Sequence, residues 1–181
     1  MKRSSPLRLV KARPKPSGEL GREAKFFERH ARYVALIGMR LLGNDSDVDD
    51  LVQQVFLDAF RNRERLRDPA AAKSWLATLT VRAARHQLRR RRLRQFVGLD
   101  DRPHAVELRD PALSPEKRAL LERLYGILDT LPVEQRLAWT LRHVEGEKLE
   151  RVATCCGCSL ATAKRRIIAA QARLQVELED A

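Results

Sequence analysis

Residues 148 to 174 read KLERVATCCGCSLATAKRRIIAAQARL, and this stretch decides the fold. Lys148 to Cys156 has the patterning of a short helix and Gly157-Cys158-Ser159 that of a tight turn. A second helix from Leu160 to about Leu174 carries Thr162, Lys164, Arg165 and Arg166 near its start. Leu160, Ala163, Ile167, Ala170 and Leu174 recur at spacings of three and four, one apolar stripe at helical period. Ala161, Lys164, Arg165 and Ile168 are left facing outward. Ser159 is a good N-cap, and Gly157 supplies the left-handed backbone that ends the preceding helix. Two helices joined in this way form a helix-turn-helix, whose second helix enters the DNA major groove N-terminus first and offers its early side chains to base edges. The plain alternative is a helical hairpin with a solvated basic face.

Upstream, the helical period continues. Ser114-Pro115-Glu116 starts a helix with an N-cap, a proline in the first turn and an acid on the positive helix end. That helix carries Leu120, Leu121, Leu124, Ile127 and Leu128, breaks at Leu131-Pro132, and is followed by another with Leu137, Ala138 and Leu141. Residues 95–113, with Gly98, Asp100-Asp101, Pro103 and Pro111, lack a sustained period and read as a linker. An earlier block places Phe27, His30, Val34, Ile37 and Leu41 on one face of a helix ended by Gly43-Asn44. Ser46 or Asp47 can cap a second helix with Leu51, Val52, Val55, Phe56, Ala59 and Phe60. A third runs from about Ala70 through Trp75, Leu76, Leu79, Ala83 and Leu88 into a run of arginines. Residues 1–20, with Pro6, Pro14 and Pro16, read as a disordered basic arm. The expected architecture is all-α: two small helical domains, residues 21–94 and 114–178, joined by a flexible linker.

The chain has 181 residues, 44% of them hydrophobic, enough for ordinary cores. No apolar run approaches the roughly 20 residues of a membrane span, and the basic start lacks the apolar stretch of a secretory signal, so the protein is expected in the cytoplasm. Its net charge of +12 is unevenly placed. Residues 1–18 hold six Lys/Arg and residues 82–94 seven Arg, with no acid in either, and without these thirteen charges the remainder is about −1. Charge concentrated on one tail and one helix is an electrostatic footprint for phosphates; its bland reading is a solvated helix end.

Three segments in this order resemble the extracytoplasmic-function group of bacterial sigma factors, the small members of the sigma-70 family. The first is Asp47 to Phe60, DVDDLVQQVFLDAF, which looks like the region-two helix that docks on the polymerase clamp. The second is Ser74-Trp75-Leu76 leading into Arg89-Arg90-Arg91-Arg92, like the segment that melts the promoter and reads the minus-ten element. The third is Leu131-Pro132 to Leu174, like region four. An ordered triple match is more specific than any of its parts. The resemblance implies a sigma factor that docks on the clamp of core RNA polymerase through Asp49, Asp50, Gln53, Gln54 and Asp58. It would engage the single-stranded minus-ten element with Arg82, Arg85, His86, Arg89, Arg90, Arg91 and Arg92. The duplex minus-thirty-five element falls to Thr162, Lys164, Arg165, Arg166 and Ile168. An anti-sigma factor is a further partner implied by the family. The chain departs from the family pattern at Arg82, where Asn is usual, at His86, where an acid is common, and at Ile168-Ala169, where larger or charged side chains are frequent.

Physical chemistry supports the division of labour independently. Polar and acidic side chains on an otherwise apolar helix suit an Arg-rich partner, whereas the helix dipole alone would account for Asp47, Asp49 and Asp50 but not for Gln53, Gln54 and Asp58. Single-stranded DNA needs cations along its backbone and a surface or pocket for bases; Trp75 could stack a base but reads better as core. Cys155, Cys156 and Cys158 invite a metal or redox reading, with His143 the nearby fourth candidate ligand. Free cysteines are also good small core residues, with Cys155 expected to be the most exposed. No metal site, cofactor or catalytic constellation is expected, and the chain reads as a non-enzyme. The alternative function is a free-standing helix-turn-helix regulator, dimeric and independent of polymerase.

Overall fold

The computed structural model describes residues 17–43, 47–98 and 114–179. Every regular element among them is helical: α1 (Ser17–Leu42), α2 (Val48–Arg61), α3 (Ala72–Phe96), α4 (Pro115–Thr130), α5 (Val133–His143), α6 (Leu149–Cys156) and α7 (Leu160–Glu179). Short 3-10 turns at Arg63–Arg65 and Pro69–Ala71 connect α2 to α3. Residues 1–16 of the expected basic arm and residues 99–113 of the expected linker lie outside the described residues, and residues 95 and 96 continue α3.

The helix boundaries follow from local chemistry. Ser114 accepts a hydrogen bond from the Lys117 amide with Pro115 in the first turn, and Asp68 accepts from the Ala70 amide before α3. At α2, Asp47 occupies the cap position without capping; its carboxylate pairs with Arg91 of α3 instead. A charged partner outcompetes a neutral amide for a carboxylate.

The first three helices pack pairwise and bury Val34, Leu41, Leu51, Val55, Leu76 and Val81. Each such side chain contributes about 1.5–3 kcal/mol by leaving water. Phe26, Phe27, Phe56 and Phe60 cluster at one end of α1 and α2, with ring centroids 4.7–6.4 Å apart. Phe27 is 40% exposed and touches the cluster by its contact with Phe56.

The second block does not hang free of the first. Leu137, Ala138, Leu141, Val152, Cys155 and Cys156 join the same continuous core as Val34, Leu51 and Leu76. A smaller cluster of Tyr125, Leu128, Leu131, Ala170 and Leu174 lies beside it. Polar contacts seal the junction: Arg136 of α5 donates to the carbonyls of Leu41 and Leu42 at the end of α1, Tyr125 to the carbonyl of Arg40, and Arg151 to that of Ser74. Gly43 adopts φ 71°, and a Cβ there would lie 2.4 Å from the Tyr125 ring, so only glycine allows this approach. The sequence carries a trace of this packing in α3. Leu76, Ala77, Thr80, Val81, Ala83, Ala84 and Leu88 are all buried and share one face about 160° wide at 100° per residue, broad enough to be covered by more than one neighbouring helix.

Candidate nucleic-acid interface

The helix-turn-helix is built as its sequence dictates. Gly157 takes φ 61° to end α6, and the Ser159 hydroxyl accepts a hydrogen bond from the Thr162 amide at 3.2 Å to open α7. Ala163, Ala170 and Leu174 turn inward with Ile167 half-buried, while Leu160, expected in the stripe, is 46% exposed. Lys164, Arg165 and Ile168 project outward from the first turns. Thr162 is half-buried, and its hydroxyl accepts from Arg165 at 3.3 Å, fixing that guanidinium beside the helix start. Arg166 turns back into the molecule, 3.3 Å from a carboxylate oxygen of Glu134.

The arginines of α3 separate onto three faces. Arg82, His86 and Arg90, spaced by four, are exposed on one. They form one wall of a groove of about 610 Å³ whose opposite wall is Asp50, Gln53, Gln54, Leu57 and Asp58 of α2. Residues expected to contact two different macromolecules therefore face each other. Gln54 donates to Asp58 at 3.1 Å across one turn, while Asp49 is exposed outside the groove. On a second face Arg85 donates to the Cys156 carbonyl at 2.7 Å, Arg89 to Glu134 at 2.8 Å and Arg92 to the Leu131 carbonyl at 3.1 Å. On the third, Arg91 is buried and paired with Asp47, with Asp129 at 3.8 Å. Arg91, expected at DNA, is thus engaged inside the fold, joining the start of α2 to α4.

Trp75 is half-buried against the core, and it lines a cleft of about 330 Å³ together with Phe26, Phe60, Arg63 and Leu66. The cysteine expectation is corrected at Cys155, which is 4% exposed with Sγ 3.8 Å from the Thr78 hydroxyl; Cys158 is the half-exposed one. Burial pushes both inner thiols up, Cys156 to about 11, which keeps them protonated and poorly nucleophilic. His143 stacks near Trp139, its ring centroid 5.1 Å away. Residues that the sequence reading did not single out are Glu134 and Arg136 at the junction. The available signal was Arg136, a charge immediately before the apolar positions Leu137, Ala138 and Leu141.

Known proteins resemble the chain in sequence and in fold. The sequence model of Sigma-70 region 2 matches residues 26–94, spanning α1 to α3. The ECF RNA polymerase sigma factor EcfG of Rhodopseudomonas palustris is 33% identical over 140 residues, covering 76% of this chain and 75% of that protein. The chain belongs to the extracytoplasmic-function sigma factors. The ECF sigma factor SigE of Mycolicibacterium smegmatis is 32% identical over 143 residues, covering 77% of this chain; the match spans about half of SigE, 54%. The fold is shared with the sigma factor RpoE of Bartonella quintana, solved in complex with the anti-sigma factor NepR, at a TM-score of 0.65 and 23% identity over 86% of this chain and 96% of that one. Among the described residues no helix is long and apolar enough to cross a membrane.

Proposed function

We propose that this chain acts as an RNA polymerase sigma factor, docking on the core enzyme through α2 and engaging promoter DNA through α3 and α7. The observation that carries the reading is the groove between α2 and α3. Its acidic and amide wall of Asp50, Gln53, Gln54 and Asp58 suits a cationic protein surface, and its cationic wall of Arg82, His86 and Arg90 suits a phosphate backbone. One small domain thereby offers each macromolecule its own chemistry. The outward Lys164, Arg165 and Ile168 supply a separate duplex-reading surface, with two cations for base edges and an apolar tip for thymine methyl groups. Arg85, Arg89, Arg92 and Arg166 are reserve phosphate contacts, each engaged internally here. An anti-sigma protein fits the same family reading as a competitor for these surfaces.

The test uses purified core polymerase. Reversing charge at Asp50 and Asp58 together is expected to weaken co-purification with core enzyme at least about tenfold while leaving the helical circular dichroism unchanged, since Asp50 is exposed and Asp58 is half-exposed with Gln54 of its own helix on its carboxylate. Specific initiation from a promoter library should fall in parallel. Unchanged binding after both reversals would refute docking through α2, and sequence-specific binding of a dimer without polymerase would favour a free-standing regulator.

A further inference from the structure

The junction between the two helical blocks gathers cations assigned to DNA around one acid. Glu134 lies in the first turn of α5, only 22% exposed. Its Oε1 accepts a hydrogen bond from Arg89 at 2.8 Å and lies 3.1 Å from Arg85 Nε; its Oε2 lies 3.3 Å from Arg166 Nη1. The last two approaches are ionic, off the hydrogen-bond axis. Two of the three guanidinium groups come from α3 and one from the recognition helix, so a single carboxylate ties both DNA-facing helices together. Its surroundings resemble those of a phosphate in a protein–DNA interface, an anion held by several arginines.

We propose that Glu134 is an internal stand-in for DNA phosphate, a lock that holds the sigma factor closed and occupies arginines of both DNA-binding surfaces until the chain is opened. This rests on the sigma-factor reading for its biological meaning, and its physical basis is local. Three cations against one anion leave the centre with an excess of positive charge, and Arg85 Nε and Arg166 Nη1 are buried without a hydrogen-bond partner, so the closed state leaves cationic capacity unused. A phosphate backbone offering one anion per cation competes favourably. Geometry makes opening necessary for function. Elements centred about 25 base pairs apart are separated by about 85 Å at 3.4 Å per base pair. Arg85 and Arg166 meet at one carboxylate, so the closed chain cannot place α3 on one element and α7 on the other. Arg85 also holds the Cys156 carbonyl, and Cys155 Sγ faces Thr78. Two buried thiols therefore sit on the seam and report on its opening.

The experiment compares the full chain with Glu134→Gln, Arg89→Glu and Glu122→Gln. The last removes an exposed acid on α4 and controls for net charge. Three readouts are taken: the radius of gyration by solution X-ray scattering, the rate of modification of Cys155 and Cys156 by a neutral thiol reagent, and binding to random-sequence single-stranded and duplex oligonucleotides against salt. Glu134→Gln is expected to expand the chain and raise the thiol rate. It should also steepen the log–log salt slope by about two to three units, as Arg85, Arg89 and Arg166 reach phosphates. Arg89→Glu should open the chain through repulsion against Glu134 without the gain in DNA binding. Unchanged dimensions and thiol rates in Glu134→Gln would overturn the lock. Opening with a DNA gain no larger than that of Glu122→Gln would overturn the phosphate stand-in. Failure of the wild-type chain and Glu134→Gln to bind core polymerase, with opening and DNA gain intact, would refute the sigma reading and leave the lock standing.

Discussion

Replacing Arg136 with Ala tests whether the two helical blocks form one cooperative unit. The side chain is 2% exposed. Nε donates to the Leu41 carbonyl at 3.2 Å and Nη2 to the Leu42 carbonyl at 2.8 Å, while Nη1 is paired with Asp129. Those carbonyls belong to the last turn of α1, where intrahelical donors run out and the helix dipole is negative, so a guanidinium there satisfies both geometry and charge. Truncation leaves Asp129, only 24% exposed, without its closest partner and strips two carbonyls of theirs. Breaking a buried pair from one side costs about 3–5 kcal/mol. Against a typical stability of about 5–15 kcal/mol that is a large fraction. Urea unfolding of the whole chain, followed by circular dichroism and by fluorescence of Trp139, should show the loss as a lower midpoint. Trp139 is a suitable probe because its indole donates to Gln171 of α7 at 2.7 Å. Replacing both members, Arg136→Met with Asp129→Leu, should recover at least half of the loss, because an apolar pair leaves no buried charge uncompensated. A cost below about 1 kcal/mol for Arg136→Ala, the range of exposed ion pairs, would refute the reasoning and mean that the seam between α1 and α5 is open to water.

Two further outcomes are expected. Replacing Lys164 or Arg165 with Ala should cost about 1–3 kcal/mol at the preferred minus-thirty-five sequence and relax selectivity at one or two base pairs, measured by competition binding; a loss equal across all sequences would make them phosphate contacts. His30 is 7% exposed and packs against Phe26, and desolvation, then Arg29, then Lys73, hold its pKa below 6.5. The unfolded chain therefore binds this proton first as pH falls, so the stability gained by keeping His30 neutral is complete above pH 6.5 and lost below it. His30→Phe should flatten the fall in stability between about pH 7 and pH 5, and an unchanged slope in acid unfolding would refute this origin.

Much of the fold was legible because its signals are local. Ser114, Ser159 and Gly157 end or begin helices through contacts within a few residues, and the stripe of Ala163, Ala170 and Leu174 needs only the helical period. The partners of Asp47 and Cys155 escape a local reading because they are distant in sequence: Arg91 lies 44 residues from Asp47, and Thr78 lies 77 from Cys155. An N-cap preference is worth about 1 kcal/mol, so a buried guanidinium easily redirects the carboxylate. A thiol left over once Cys156 and Cys158 are assigned to the core of the hairpin reads as exposed until another helix covers it.

The arginines of α3 show where sequence reading of the site stops and why. A helix turns 100° per residue, so positions 82, 86 and 90 share one face and 85, 89 and 92 another, and this sorting needs no structure. Deciding which face meets protein and which meets DNA requires the placement of α5 and α6, which is set by Leu137, Ala138, Leu141 and Val152 entering a core begun by Leu51 and Leu76. Net charge is indifferent to that placement. The same guanidinium chemistry that binds a phosphate binds the carboxylate of Glu134 or the carbonyl of Leu131. A basic run beside a second domain is therefore both a DNA surface and an intramolecular adhesive, and the balance between these uses depends on whether the two blocks are together or apart.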